Sequence, residues 1–174
     1  MPSPINCLLQ TSQIFFVIGL ESGQFWGWNL QNNTFAIMQP QPHPAGVSVL
    51  ELCTIDNQPY MMSGYKDGCI KLFNTSGFNV VLQGQVQNDR KSPLQIAVTS
   101  LIAMKSPINS GLLIAASDVS GQITLLSANG KCCTFSAHSD IKNAPINIRQ
   151  LILLPNTQKL VSVGEAPLMR LWDK

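Results

Sequence analysis

Residues 64–74 read GYKDGCIKLFN: two glycines that flank a turn, followed by an alternating segment that ends in an aromatic and a small polar residue. This pattern is typical of a β-hairpin. It occurs four times, in VIGLESGQFWGWN (17–29), MSGYKDGCIKLFN (62–74), AASDVSGQITLLS (115–127) and SVGEAPLMRLWD (162–173). The closing residues Trp28, Phe73, Leu126 and Trp172 are 45, 53 and 46 positions apart. The chain therefore contains an internal repeat with a period of about 45 residues.

The segments between the hairpins supply further strands. A short apolar run precedes each hairpin: INCLLQ (5–10), VSVLELCTI (47–55), VTSLIAM (98–104) and INIRQLILL (146–154). Another follows the first three hairpins: TFAIMQ (34–39), FNVVLQG (78–84) and KCCTFSA (131–137). The order of strands a, b, c and d is thus complete three times, and the fourth repeat ends after strand c.

The second strand of each repeat lacks polar alternation, as in FFVIG, LLIAA and KLVSV. Alternation disappears when both faces of a strand are covered. No window carries the apolar stripe of an amphipathic helix. The sequence predicts an all-β chain, and four-stranded units with this period are typical of the blades of a β-propeller.

The hairpins resemble those of WD-repeat β-propellers, most closely in residues 136–174. In that family a His before strand a, a Ser or Thr on strand b, the Trp of strand c and a turn Asp form a buried hydrogen-bonded group that braces each blade. The resemblance assigns His138, Ser162 and Trp172 to this group, with Asp173 after the Trp. The fourth repeat has no turn Asp, because EAP (165–167) is shortened.

The other repeats match the family pattern less completely. The second has Ser63 and Asp67, with Phe73 in place of Trp and His43 as its one candidate His. The first keeps Trp28 but has Ser22 at the Asp position, and in the third only the Gly121 hairpin fits. The resemblance implies a single propeller domain over residues 1–174, with approximate blades at 1–40, 45–86, 96–137 and 144–174.

Propellers of this family usually have seven or eight blades, so four blades, the last without its outer strand, amount to about half of one. The order of strands resembles the C-terminal half of a seven-bladed propeller. An isolated half would expose an apolar sheet face at each end and an unpaired strand edge. We therefore expect an obligate protein partner, either another chain or a missing N-terminal half, to complete the ring. A closed ring of four blades is the competing expectation.

Composition narrows the function classes. Charged residues make up 11% of the chain, against about 25% in ordinary soluble domains, and the net charge is +2 with scattered Lys and Arg. We expect no nucleic-acid footprint, no membrane insertion, no small-molecule ligand and no cofactor. The five cysteines contain no CxxC pair. Free thiols and the lack of a signal segment favour the cytoplasm.

The loops between strands d and a and the turns between strands b and c lie on one face of the predicted disc, and this face is the candidate for partner contact. The polar residues to test there are His43, Lys66, Arg90, Lys91 and Lys142. Trp26 falls where the family often has a charged residue, which suggests a contact surface. Solvated connections, and for Trp26 packing against strand d, are the alternative interpretations.

Catalysis has little support in the sequence. AHSD (137–140) gathers a His, a Ser and an Asp, but a catalytic triad is defined by geometry rather than adjacency. There is no phosphate-binding glycine loop and no metal-ligand spacing. The WD-repeat resemblance implies a non-catalytic scaffold subunit of a larger assembly, and the low charge and the missing outer strand favour a permanent partner. The alternatives are a module that recognises peptides or substrates for a modifying enzyme and, less well supported, an RNA-binding propeller.

Overall fold

The computed structural model describes residues 3–38, 41–86, 96–105, 111–130, 132–139, 144, 146–155, 157, 159–165 and 169–173. Its fifteen regular elements are all β-strands, and they form four antiparallel sheets of consecutive strands. This confirms the all-β prediction. The predicted apolar runs and hairpins also coincide with the observed strands.

The first two sheets have four strands each, in chain order. The first contains β1 (Ile5–Gln10), β2 (Phe15–Leu20), β3 (Phe25–Asn29) and β4 (Thr34–Ile37). The second contains β5 (Val47–Ile55), β6 (Gln58–Tyr65), β7 (Cys69–Asn74) and β8 (Val80–Gln85).

The third sheet again has four strands, whereas the fourth has three. The third contains β9 (Val98–Lys105), β10 (Leu112–Asp118), β11 (Gln122–Ser127) and β12 (Cys132–Ser136). The fourth contains β13 (Ile148–Leu153), β14 (Leu160–Gly164) and β15 (Met169–Trp172). In the described part of the chain, β15 pairs with β14 and has no strand on its other side.

Glycines set the tight turn between the second and third strands of the first three sheets. Gly23, Gly68 and Gly121 have φ angles of 77°, 84° and 77°, a region that favours glycine. A side chain at Gly23 or Gly121 would also collide with the backbone, because its Cβ would lie 2.0 Å from the His43 carbonyl oxygen or 2.3 Å from that of His138. The repeated glycines therefore allow each turn to approach the loop that leads to the next sheet.

The sheets pack face to face in chain order, with β1 against β5, β5 against β9, and β9 against β13. One face of the second sheet, which includes Tyr65 and Phe73, shares a core with the first sheet. The opposite face, which includes Met62 and Ile70, shares a core with the third sheet. We call the face that meets the preceding sheet the leading face and the face that meets the following sheet the trailing face.

The third and fourth sheets share a third core of the same kind. Among the described residues, no strand of the fourth sheet makes a comparable contact with a strand of the first. Two end faces therefore lack an equivalent neighbour: the leading face of the first sheet and the trailing face of the fourth. The second strands, by contrast, are buried on both faces over most of their length, as their lack of alternation predicts.

Candidate interaction surfaces

A buried polar group joins the third and fourth sheets. His138 Nε2 lies 2.7 Å from Ser162 Oγ, and Trp172 Nε1 donates a hydrogen bond of 2.8 Å to the same oxygen. The Trp172 ring meets Phe135 of the third sheet edge-on, with centroids 5.2 Å apart. The structure thus brings together the three residues that the WD-repeat resemblance assigns to one group.

The protonation state of His138 follows from its surroundings. Its side chain is fully buried, and Nδ1 has no hydrogen-bond partner among the described residues. Burial lowers the pKa of His138, and the nearby Arg170 lowers it further, so the neutral ring is favoured. Ser162 accepts from Trp172 and can donate its own proton to Nε2 of the neutral imidazole. Asp173 lies apart from this group, exposed, with its carboxylate 2.9 Å from Lys159 Nζ.

The second sheet has a related but different arrangement. His43 Nε2 lies 2.9 Å from Asp67 Oδ2, and the His43 ring packs on Tyr65 with centroids 4.1 Å apart. Ser63 Oγ is buried and has no hydrogen-bond partner of good geometry in the described chain. Phe73 stands at the position of Trp172 and has no N–H group to donate to it. Phe73 instead packs edge-on against Phe25 at 5.3 Å. His43, a candidate contact residue, is therefore engaged internally, and its side chain is only 11% exposed.

The first sheet has no buried polar group around Trp28. The position that Ser162 occupies in the fourth sheet is Ile18 here, so the indole has no hydroxyl to bond. Trp28 is half-buried, donates to Asn33 Oδ1 at 3.1 Å, and stacks on Phe35 with ring planes 6° apart. The hydrogen-bonded bracing group expected around Trp28 is not formed among the described residues, because Ile18 offers no hydroxyl group and the indole bonds Asn33 instead.

Trp26 also lies on the leading face of the first sheet, between Ile18 and Ile37 of the adjacent strands. It is half-buried, and its Nε1 is enclosed without a hydrogen-bond partner in the described chain. Packing against the fourth strand, one of the two interpretations of this residue, describes its surroundings. Because the ring is only half-buried, its use as a contact residue stays a prediction.

Asp118 in the third sheet was not identified from the sequence. It is fully buried, and its Oδ1 accepts hydrogen bonds from Ser120 N, Ser120 Oγ and Gln122 N at 2.8, 2.8 and 3.0 Å. Burial raises the pKa of this carboxyl group, while these donors lower it. The signal lies in the sequence DVSG, because an Asp that precedes a turn commonly bonds the backbone two residues later.

The remaining loop residues divide into two groups. Lys66 is exposed and forms an ion pair with Glu21 of the first sheet. Arg90, Lys91 and Lys142 lie outside the described residues.

A repeated β-bulge, which the sequence did not reveal, marks the first strand of every sheet. The pairing of β1, β5, β9 and β13 skips one residue each time, and the extra residues are Asn6, Ser48, Thr99 and Arg149. Two of them bond the next sheet: Asn6 Nδ2 donates to Val47 O at 2.9 Å, and Ser48 Oγ donates to Val98 O at 2.7 Å. Bulges re-aim side chains, and here they direct polar groups to one rim.

A cleft of about 420 Å³ opens at this rim, lined in part by Ser48, Lys66, Thr99, Asn147 and Arg149. Its two cationic side chains are paired with carboxylates, Lys66 with Glu21 and Arg149 with Glu165. Asn147 Oδ1 is buried with no hydrogen-bond partner in the described chain. The cleft therefore combines hydroxyl groups and paired charges.

The end faces differ sharply from the equivalent internal faces. Leu8, Leu50, Leu101 and Leu151 occupy one repeat position on the leading face, opposite Ile18, Ser63, Ala116 and Ser162 respectively. The last three leucines are 5%, 3% and 4% exposed, whereas Leu8 is 55% exposed. Phe25, Ile70, Ile123 and Met169 occupy one position on the trailing face. The first three are 0% exposed and Met169 is 74% exposed.

The described residues contain no group of three or more His, Cys, Asp and Glu side chains placed to hold a metal ion. In the same part of the chain, no helix has the length and apolar character needed to cross a bilayer.

Comparison with known proteins identifies similar folds only. No protein-family signature and no curated protein matches the sequence. The chain is similar to the computationally designed Ika4 protein at 18% identity and a TM-score of 0.64, with 99% of this chain and 92% of that chain covered. It is also similar to the computationally designed Ika8 protein at 18% identity and a TM-score of 0.66, with 99% of this chain but 46% of that chain covered. At this identity the similarity supports the arrangement of the sheets and carries no functional information.

Proposed function

We propose that this chain is a non-catalytic interaction subunit, a β-propeller-like arc of four WD-repeat-like blades that a protein partner completes. The repeated packing of four antiparallel sheets supports the propeller geometry. The His138–Ser162–Trp172 group supports the likeness to WD repeats. In this account the chain acts as a scaffold within a larger assembly, in the cytoplasm.

The observation that carries the proposal is the pair of uncovered end faces. Leu8 and Met169 occupy positions that are buried in every other sheet, yet both are largely exposed. Exposed apolar patches of this kind are usual at protein interfaces and unfavourable on an isolated monomer. The unpaired edge of β15 adds backbone groups that a partner strand can bond.

The cysteines fit a structural role in a reducing compartment. Cys7, Cys53, Cys69 and Cys133 are free thiols. Burial raises the pKa of Cys7 to about 12 and the pKa values of Cys53 and Cys69 to about 11. These three thiols therefore remain protonated and unreactive at neutral pH.

Site-specific cross-linking tests the proposal. A photo-cross-linking amino acid is placed at Leu8, at Met169 and, as a matched control, at Val81, an exposed residue on the outermost strand of the second sheet. We expect cross-links to protein from positions 8 and 169 and not from position 81. A folded monomer of 19.0 kDa that forms no cross-link from either end face would contradict the proposal.

A second candidate, peptide recognition, is favoured by the cleft at the rim. The hydroxyl groups of Ser48 and Thr99 line the cleft and already bond Val98 O and Ser117 Oγ, but each hydroxyl oxygen has further capacity to accept a hydrogen bond from a peptide N–H. We expect the double variant Ser48→Ala/Thr99→Val to weaken peptide binding if the cleft is the site. Unchanged affinities in a peptide-array or titration experiment would remove this candidate without affecting the scaffold proposal.

A further inference from the structure

We propose that the partner which covers both end faces is a second copy of this chain. The fourth sheet of each copy packs its trailing face on the leading face of the first sheet of the other. Two identical contacts result, related by a two-fold axis, and together they close a ring of eight sheets. This inference rests on the proposed function and names its partner.

The first support is continuity with the three packing contacts inside the chain. In each of them a trailing face meets the leading face of the next sheet, and the strand positions in contact repeat. The fourth sheet presents Val161, Val163, Met169 and Leu171 at the trailing positions. All four are apolar, although nothing inside the chain requires Met169 and Leu171 to be so, since both are exposed.

The leading face of the first sheet is the matching half of that contact. Leu8, Trp26, Trp28 and Phe35 present apolar surface there, and none of them carries a charge that would oppose docking. Leu8 stands where Leu50, Leu101 and Leu151 insert into the three internal contacts. The leading face of the first sheet thus offers the apolar side chains that would cover the trailing face of the fourth sheet.

The β-bulges add a repeated hydrogen bond between neighbouring sheets, at the rim that contains the cleft. Asn6 and Ser48 each donate to the carbonyl of the residue that precedes the bulge of the next sheet, Val47 and Val98. Thr99 departs from this pattern and bonds Ser117 within its own sheet. Arg149 is the equivalent residue of the fourth sheet, and the equivalent carbonyl is that of Ile5. In the dimer Arg149 therefore faces the Ile5 carbonyl of the second copy.

A second copy is favoured over an unrelated chain because one occupant must offer both an uncovered leading face and an uncovered trailing face. A copy of this chain has both, and two-fold symmetry uses each face once. The comparison with Ika8 is compatible in size, because this chain spans 46% of that protein. A fold about twice as long therefore contains this arrangement of sheets within about half of its length.

The test is the native mass of the purified full chain at micromolar concentration, with two charge variants. We expect the unaltered chain to sediment as two chains of 19.0 kDa. Leu8→Glu and Met169→Lys should each give monomers, because each buries an unpaired charge in both contacts. Equimolar mixing should restore dimers, because a mixed pair keeps one contact free of both substitutions. Recovery on mixing also shows that both variants are folded.

The control is Val81→Glu, which lies on neither end face and should leave the dimer intact. Three results would overturn the second-copy inference: the unaltered chain is a monomer, the dimers survive both substitutions, or the mixture of variants does not associate. The proposed function survives if that monomer binds an apolar dye and cross-links to a different protein from positions 8 and 169. It fails as well if the monomer does neither.

Discussion

The leading faces of the first and fourth sheets carry equivalent residues in opposite surroundings. In the fourth sheet, Leu151, Ser162 and Trp172 pack on the third sheet and enclose His138. In the first sheet, Leu8, Ile18 and Trp28 occupy the same positions without a preceding sheet. The comparison teaches that the repeat specifies a contact surface at every step. Burial of its leucine depends on a neighbour, since Leu8 is 55% exposed and Leu151 4%, whereas Ile18 is buried without one.

The largest expected difference concerns the two tryptophans. Trp172→Ala should lower the free energy of unfolding by about 3 kcal/mol, because it removes a ring that packs on Phe135 and leaves Ser162 without its donor. Trp28→Ala should cost about 1 kcal/mol, since that ring packs only on its own sheet. Urea denaturation below the concentration at which copies associate measures both. Equal losses would show that the two faces are not different.

The leucine series offers a closer match in side-chain size. Leu151→Ala should cost about 2–3 kcal/mol through the cavity it leaves, and Leu50→Ala a similar amount. Leu8→Ala should change the free energy of unfolding of the monomer by less than about 0.5 kcal/mol, because Leu8 is largely exposed. The same urea titrations serve here. A cost at Leu8 as large as that at Leu151 would mean that a neighbour already covers it within the chain.

The bracing group can be tested apart from apolar burial. His138→Ala should cost about 1–3 kcal/mol, because the buried Ser162 hydroxyl loses its partner at His138 Nε2. His43→Ala is the natural comparison, since His43 bonds Asp67, whose side chain is only partly buried, and should contribute less. A double-mutant cycle with Ser162→Ala isolates the coupling. Additive losses at positions 138 and 162 would contradict a shared hydrogen-bonded group.

The smallest effect concerns pH. Burial lowers the pKa of His138 in the folded state, so the unfolded chain binds a proton more readily. Stability is therefore full above the unfolded pKa of about 6.5 and is lost as the pH falls from that value through the folded pKa. The free energy of unfolding should decline as the pH is lowered from about 7.5 to about 5. The variant His138→Gln should flatten this decline. An unchanged slope in the variant would assign the decline to other groups.

Much of the fold could be predicted from the sequence, because the residues that form a β-hairpin lie close together in the chain. Turn glycines such as Gly68, and second strands without alternation, predicted four consecutive sheets and a fourth with three strands. The meeting of His138, Ser162 and Trp172 also agrees with what the resemblance assigned. These features depend on short-range pattern or on one recognisable repeat position, so they can be read without coordinates.

The rest depended on long-range packing that no local pattern encodes. Trp28 fits the repeat by spacing, yet its surroundings are set by the absence of a sheet on one side. The bulges at Asn6 and Ser48 leave no residue signature, since the extra residues differ in type in every sheet. His43 looked like a loop contact, but Tyr65 and Asp67 engage it.

The most direct measurement is the oxidation rate of Met169 in the native species that contains this chain, compared with that of Met62. Met62 is buried inside the chain, whereas Met169 lies exposed on the trailing end face. If a protein partner covers that face, peroxide should oxidise both methionines slowly and at comparable rates. Oxidation of Met169 at the rate of free methionine, in a folded species of 19.0 kDa, would contradict the claim that the end faces are covered.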